Sequence, residues 1–320
     1  VCVRAVGFDV NGGPEVLRPV ELPVPAPGPG QVLIRVAYAG VNHGEMQHRL
    51  GDFGAPDGIA VPGLEVSGEV AALGPDVTGL ACGDLVAAYL PDGGGYAEYA
   101  VAPADFAYPL DGISLRDGGG TALALTTAYG VLAGAARLAP GDTVLIHAAA
   151  GGVGSAAAQI ARALGAAAVH GTVGSPEKAD YALRFGYDAV HPREGFAARV
   201  PPFDVVLDPI GGPTRLASLS VLAPFGRLAV YGDAARRPDL SLPVLPFRRH
   251  NRSLTGYDIG DLARRAPECV RAHALSALAL LASGAIRLGI AAELPLAEAA
   301  AAHETLQAGL NVGKTLLRVG

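Results

Sequence analysis

The stretch that decides the reading is Val144-Leu145-Ile146-His147-Ala148-Ala149-Ala150-Gly151-Gly152-Val153-Gly154. An apolar run of strand length enters a turn of small residues, and Ser155–Leu164 continues at helical spacing until Gly165 stops it. The turn follows the pattern G-x-G-x-x-G, with Ala149 in the first glycine place. Without a Cβ at Gly151 the backbone can approach a pyrophosphate, and without one at Gly154 the helix can pack tightly on the strand. The segment Ala150, Gly151, Gly152, Val153 and Gly154 opens the helix, where free N–H groups and the positive end of the helix dipole suit phosphates. A second strand, Ala168–Val173, follows in the expected place. A strand, a glycine-rich loop, a helix and a strand in this order predict a dinucleotide site; an ordinary tight turn is the alternative.

The end of that second strand separates the cofactors. NAD sites place an acidic residue there for the ribose 2′-hydroxyl. Here the place falls to Val173, and no acidic residue occurs from Ser155 through Pro176. Ser175 and Lys178 stand nearby as donors, and Lys178 is one of only two lysines, the other being Lys314. A missing carboxylate beside available donors favours a 2′-phosphate, so the expected cofactor is NADPH.

Outward from this unit, strands and helices alternate. Thr121–Arg137 reads as a helix and Thr143–His147 as a strand. Pro176–Phe185 is a helix, Asp204–Asp208 a strand, Pro213–Leu222 a helix, and Leu228–Tyr231 and Ser253–Tyr257 are strands. That alternation predicts a parallel sheet with helices on both faces. A long helix is expected over Asp261–Ser283, then a helix at Leu296–Leu306 and a strand at Thr315–Val319. The first 117 residues read differently: Val32–Tyr38, Glu65–Leu73 and Asp84–Tyr89 are strand candidates separated by Pro/Gly clusters, which suggests a barrel-like β domain.

Composition bounds the function. The 320 residues carry a formal net charge of −6 and no Lys/Arg cluster beyond Arg248, Arg249 and Arg252, so nucleic acid is not an expected partner. No apolar run approaches the ~18 residues of a membrane span, and no secretory leader is legible. Cys2, Cys82 and Cys269 lie far apart, with no metal-binding spacing; three free thiols, each expected to be a small buried hydrophobe, fit a cytoplasmic protein.

Several further motifs, taken with the glycine-rich loop, give the chain a family resemblance. They are Gly12-Gly13-Pro14-Glu15-Val16-Leu17, Gly40-Val41-Asn42, Pro62-Gly63-Leu64-Glu65, Gly83-Asp84-Leu85-Val86, Gly95-Tyr96-Ala97-Glu98-Tyr99, Thr127-Ala128-Tyr129, Asp208-Pro209-Ile210-Gly211 and Gly313-Lys314. In this order they resemble the medium-chain dehydrogenase/reductase superfamily, and within it the zinc-free quinone oxidoreductases and related enoyl reductases. The resemblance implies an α/β protein in which a GroES-like β-rich catalytic domain accompanies a Rossmann doubly wound parallel sheet. The expected division is 1–118 for the GroES-like domain, 119–283 for the Rossmann domain and 284–320 for a C-terminal return to the first domain. It also implies a homodimer joined through sheet edges near Ser253–Tyr257.

The site follows residue by residue from that resemblance. Zinc alcohol dehydrogenases carry Cys at the place of Asn42 and His at the place of Leu64, so no metal is expected here, Glu65 alone being no zinc site. Asn42 is the candidate catalytic residue and borders the nicotinamide–ribose with Thr127; Asp208, Gly211 and Tyr231 line the same wall, Val153 packs behind the ring, and Asn311 joins the cofactor set. Without a Lewis acid the expected chemistry is hydride transfer to a quinone or conjugated C=C (enone). The alternatives are an enoyl-thioester (polyketide-type) reductase and a non-catalytic NADPH-binding protein. Phe53 stands where some relatives have a proton-donating Tyr, leaving His43, Gln47 and His48 as nearby polar candidates. His191-Pro192 lies near the place of the adenine-stacking Tyr of some relatives.

Overall fold

The structure is a computed structural model that describes residues 2–320. Its strands, in chain order, are β1 Cys2–Gly7, β2 Arg18–Pro23, β3 Gln31–Val41, β4 Glu65–Leu73, β5 Leu85–Tyr89, β6 Tyr99–Pro103, β7 Ala107–Pro109, β8 Thr143–Ile146, β9 Ala168–Val173, β10 Ala189–Pro192, β11 Phe203–Asp208, β12 Leu222–Val230, β13 Ser253–Gly256, β14 Ile290–Pro295 and β15 Lys314–Arg318. The chain divides into two compact units. The first runs to Thr126 and adds Leu262–Ala282 and Ile290–Gly320; the second comprises Thr127–Asp261 and Ser283–Gly289.

The first unit is built on β3, whose β-branched residues Val32, Ile34 and Val36 are buried together with Val66, Val70 and Val86 of its neighbours. Strands follow the order β14-β15-β3-β4-β5-β7, with β6 also paired to β3. The late strand β15 runs antiparallel to β3 with Thr315 opposite Val41, and β4 runs antiparallel to β3 with Val66 opposite Ala39. Those two registers bring Asn42, Glu65 and Lys314 to one end of three strands.

The second unit is a parallel sheet of order β10-β9-β8-β11-β12-β13. In its own sequence this is 3-2-1-4-5-6, the Rossmann order, and its direction reverses between β8 and β11. The helix Gly152–Ala163 links β8 to β9, and apart from Ile160 its buried residues are small, Gly154, Ser155, Ala156, Ala157, Ala158 and Ala161, which allow close packing on the sheet.

Two expectations need correction. The helix over Asp261–Ser283 is two helices, Ile259–Arg265 and Pro267–Ala282, because Pro267 has no N–H to continue the ladder and disfavours helical backbone at Ala266. The second of these packs in the first unit, where Arg271 donates to the Asp105 carbonyl (2.9 Å) and lies over the Tyr108 ring. The compact units meet at 126/127 and 261/262. All three cysteines are exposed, not buried. Among the described residues no helix is long and apolar enough to cross a membrane.

One buried imidazole ties the second unit together. His147, directly after β8, meets Thr172 of β9 through Nδ1 (2.7 Å) and Ser218 through Nε2 (2.8 Å). The Ser218 hydroxyl donates to the Thr214 carbonyl, so Nε2 carries the hydrogen and Nδ1 accepts from Thr172. Burial brings the His147 pKa down to about 4, against the pull of the Asp208 carboxylate. In the first unit burial, with Arg49 adding to it, takes His303 to about 3. Both folded values lie below the unfolded value near 6.5. The folded state therefore binds fewer protons, and the stabilisation present above about pH 6.5 is lost as pH falls. Stability should drop by about 2 kcal/mol per histidine between pH 7.5 and pH 5. Denaturant unfolding at the two pH values measures the drop, and His147→Gln should shrink it; an unchanged drop in that variant overturns the account.

Candidate functional site

The second unit presents its candidate residues at the C-terminal ends of its parallel strands. After β8 the chain turns through Ala148, at φ +54°, and the Gly151 N–H closes the turn on the Ala148 carbonyl (2.9 Å). The helix then starts at Gly152 with no side chain capping it, which leaves the first-turn N–H groups without intrahelical acceptors. A Cβ at Gly154 would stand 2.3 Å from the Ala148 oxygen, so only glycine lets the helix sit this close to the loop. Ala149 fills the first glycine place because strand β9 supplies Gly171 beneath it, where a Cβ would come within 2.5 Å of the Ala149 methyl. The cradle and the uncapped helix start fit a pyrophosphate.

At the end of β9 a cationic corner forms. Arg193 donates its N–H to the Val173 carbonyl (2.8 Å), and its guanidinium lies beside Gly174, 3.3 Å from where a Cβ would be. Half-buried Lys178 sits in the same field: burial lowers its pKa, Glu177 opposes the shift and Arg193 adds to it. The Ser175 hydroxyl bonds the exposed Glu177 carboxylate, which that bond holds below the usual carboxylate range. Ser175 is thus in place as a hydroxyl but turned to a neighbour.

Asp208, Gly211 and Tyr231 follow β11 and β12. The Asp208 carboxylate is fully buried and committed, pairing with Arg215 (2.8 Å) and accepting from the N–H groups of Ile210 (2.7 Å) and Gly211 (3.1 Å). What it can offer a ligand is the shape of the 209–211 loop, not its charge. Gly211, at φ +84°, leaves no room for a Cβ beside Asp233. Tyr231 bonds back to the Asp208 carbonyl through its N–H (3.1 Å), and burial with the Asp208 charge raises its phenol. Thr127 lies half-buried on the helix Ala124–Gly130.

In the first unit Asn42 precedes the helix His43–Leu50 and sits inside a cluster of charges. Its Oδ1 accepts from the Lys314 ammonium (2.5 Å), and its Nδ2 donates to Glu45 (3.2 Å) and Glu65 (3.1 Å). Lys314 also donates to the Val41 carbonyl (3.2 Å) and pairs with Glu65 Oε1. Glu65 Oε2 takes the N–H groups of Leu123 (2.8 Å) and Ala124 (3.3 Å). The Glu45 carboxyl accepts the Leu64 N–H (2.9 Å), and burial raises its pKa to about 7 against the pull of Lys314. The zinc positions of the alcohol dehydrogenases are therefore Asn42, Leu64 and a Glu65 already neutralised by an ammonium. This donor set does not fit a metal, and among the described residues no group of three or more His, Cys, Asp or Glu could hold one. Asn311, half-buried, lies three residues before Lys314.

Comparison with known proteins places this geometry. The alcohol dehydrogenase GroES-like domain family matches residues 28–112, and the zinc-binding dehydrogenase family matches residues 152–278. The quinone oxidoreductase of Pseudomonas aeruginosa is 35% identical over 98% of this chain and 99% of its own length. The chain belongs to the zinc-free quinone oxidoreductases. A mycobacterial structure in complex with NADPH superposes with a TM-score of 0.91 at 33% identity, covering 99% of this chain and 100% of that one. A mycocerosic acid synthase-like polyketide synthase of Mycobacterium tuberculosis is 32% identical over 92% of this chain, which spans only 14% of that enzyme's length.

Three groups were not legible beforehand. Arg193 has no motif; its signal is a basic residue directly after the strand that pairs with Val173. Lys314 carries only the Gly313-Lys314 motif and the scarcity of lysine, and Glu45 only its place three residues, about one helical turn, after Asn42. Of the other polar candidates, His48 packs between Phe8 and Phe53, and Phe53 is 70% exposed.

Proposed function

We propose that this chain, an NADPH-dependent oxidoreductase of the quinone oxidoreductase type, reduces a small quinone or enone without a metal. The observation that carries the reading is that Lys178 lies in the field of Arg193, beyond a glycine-rich loop that lacks the acidic ribose ligand. When bound, NADPH supplies the hydride. The uncapped helix start at Gly152–Gly154 takes the pyrophosphate, with Ala150 and Gly151 shaping the approach and Val153 behind the ring. Lys178 and Arg193 hold the 2′-phosphate, and Ser175 joins them once its hydroxyl leaves Glu177. In the second unit Thr127, Tyr231, Gly211 and the loop braced by Asp208 are the nicotinamide-side candidates; in the first unit Asn42 is the catalytic candidate and Asn311 belongs to the cofactor set. An electron-poor alkene or quinone accepts hydride without a Lewis acid, whereas alcohol oxidation loses its electrophile when the ligand places hold Asn42 and Leu64.

The match to a polyketide synthase favours a second reading, an enoyl thioester as acceptor. NADPH consumption against a panel of quinones, enones and enoyl thioesters separates the two. Turnover of quinones or enones is expected; turnover of thioesters alone selects the second reading, and tight NADPH binding with no acceptor turned over selects a non-catalytic binder.

The cofactor assignment has its own test. Lys178→Ala and Arg193→Ala should each weaken NADPH binding about tenfold or more and NADH binding little, since each removes a charge-assisted contact to the 2′-phosphate. Equal losses for both cofactors remove the assignment.

A homodimer is proposed through β13, the sheet's terminal strand, near which Leu254 is 44%, Phe225 77% and Val244 80% exposed. Light scattering should give twice the chain mass, and Leu254→Lys should halve it; a monomeric wild type ends the proposal. Three exposed thiols fit a reducing, cytoplasmic setting.

A further inference from the structure

We propose that Lys314 is the positioning residue of this site: its buried ammonium locks the Asn42 amide in one orientation, so that Asn42 serves as a hydrogen-bond acceptor and never as a donor to the substrate. The consequence for turnover rests on the reductase reading above; the orientation of the amide does not.

The argument is a count of donors. Asn42 Nδ2 has two hydrogens, and three acceptors face them: Glu65 Oε1 (3.1 Å), Glu45 Oε1 (3.2 Å) and, further off, the Gly40 carbonyl (3.5 Å). The Asn42 oxygen faces an ammonium. A flipped amide would set its oxygen against the two carboxyl groups and its NH2 against the cation, two unfavourable contacts for two favourable ones. What remains open on the side chain is one lone pair of Oδ1. That suits a hydroxyl donor, as on a ribose, and leaves no N–H to polarise a substrate carbonyl.

Lys314 is held as firmly as what it holds. Its three N–H donors are spent on Val41, Asn42 and Glu65, and its stem lies on Gly120, where a Cβ would stand 3.0 Å from Lys314 Cγ. Lys314 is 3% and Glu65 0% exposed, so removing the ammonium would leave a carboxylate buried without its counter-ion. Other ionisable groups in the same field are Arg49, on the helix that carries Glu45, and the Tyr96 phenol, which burial pushes up and both carboxyl groups push further, against the pull of Arg49. With one ammonium among two carboxyl groups, Glu45 is the one that keeps a proton into the neutral range, and one of its oxygens, Oε2, has no partner.

The sequence makes the test direct, because the chain has only four asparagines, Asn11, Asn42, Asn251 and Asn311. In the full chain labelled with 15N-asparagine, Asn42→Asp identifies the Asn42 side-chain amide pair. That pair should exchange slowly and titrate with a midpoint near 7 as Glu45 ionises. Lys314→Met keeps the stem and removes the charge. It should speed amide exchange at least tenfold and move the midpoint upward, because the cation that favours ionised Glu45 is gone. With a quinone or enone acceptor it should lower kcat tenfold or more and change the NADPH Kd less than threefold, since the phosphates hold the affinity. If Lys314→Met does not fold, Glu65→Gln reads the same lock from its other side and should release the amide in the same sense. An Asn42 amide pair with unchanged shifts and exchange in a folded variant overturns the proposal. A wild type that turns over no acceptor while the amide behaves as described overturns the reductase reading and leaves the lock standing.

Discussion

A charge buried at the meeting point of three strands constrains the first unit. Taking an ammonium and a carboxylate out of water costs several kcal/mol per ion, and only good geometry with further hydrogen bonds offsets it. Lys314 and Glu65 meet both conditions. The ion pair is joined by an amide and a backbone carbonyl on the lysine side, and by two backbone N–H groups on the carboxylate side. None of this works unless β15 returns to β3 in one register, Thr315 opposite Val41. A slip of one residue would turn every side chain of β15 to the other face. The pair therefore specifies where the last strand docks more than it stabilises the sheet.

The second unit handles charge in the opposite way. Its phosphate cradle has no buried ion of its own; it offers backbone N–H groups and a helix start, with Lys178 and Arg193 half-way out to solvent. What is buried there is neutral or closed on itself: His147 held as one tautomer by Thr172 and Ser218, and Asp208 neutralised by Arg215. Beyond β9 Lys178 and Arg193 form a positive corner. On the cofactor reading proposed above, preference between two dinucleotides that differ by a phosphate would rest on these half-buried charges, and the shape that takes either one on glycines.

The difference also explains what the sequence disclosed. The parallel sheet was legible because its signal is local: apolar strand runs, glycine stops and the G-x-G-x-x-G spacing fall within about 35 residues of each other. Val173 in place of an acidic residue was readable for the same reason. The Asn42 cluster was not, because Asn42 and Glu45, one helical turn apart, meet Glu65 and Lys314 only through sheet register. Arg193 escaped because β10 is short and carries a histidine and a proline, a weak strand signal. The break at Pro267 could have been read from the proline itself. The apolar periodicity carries on through it, and that continuity outweighed the breaker.

Lys314 stands among the residues that replace the zinc ligands, and it is not a substitute for zinc. A catalytic metal keeps an open coordination position and uses it to polarise the substrate's oxygen. The Lys314 ammonium keeps none: each of its three donors ends on a protein oxygen, and the amide it orients has spent both of its own. The first unit therefore offers a reacting carbonyl or alkoxide no electrophile from this cluster. Chemistry that builds negative charge on a substrate oxygen there gains nothing from it. A quinone or enone also ends with its electron pair on an oxygen, as phenolate or enolate, but its conjugated system spreads the charge, so such acceptors depend less on an electrophile than an isolated carbonyl does.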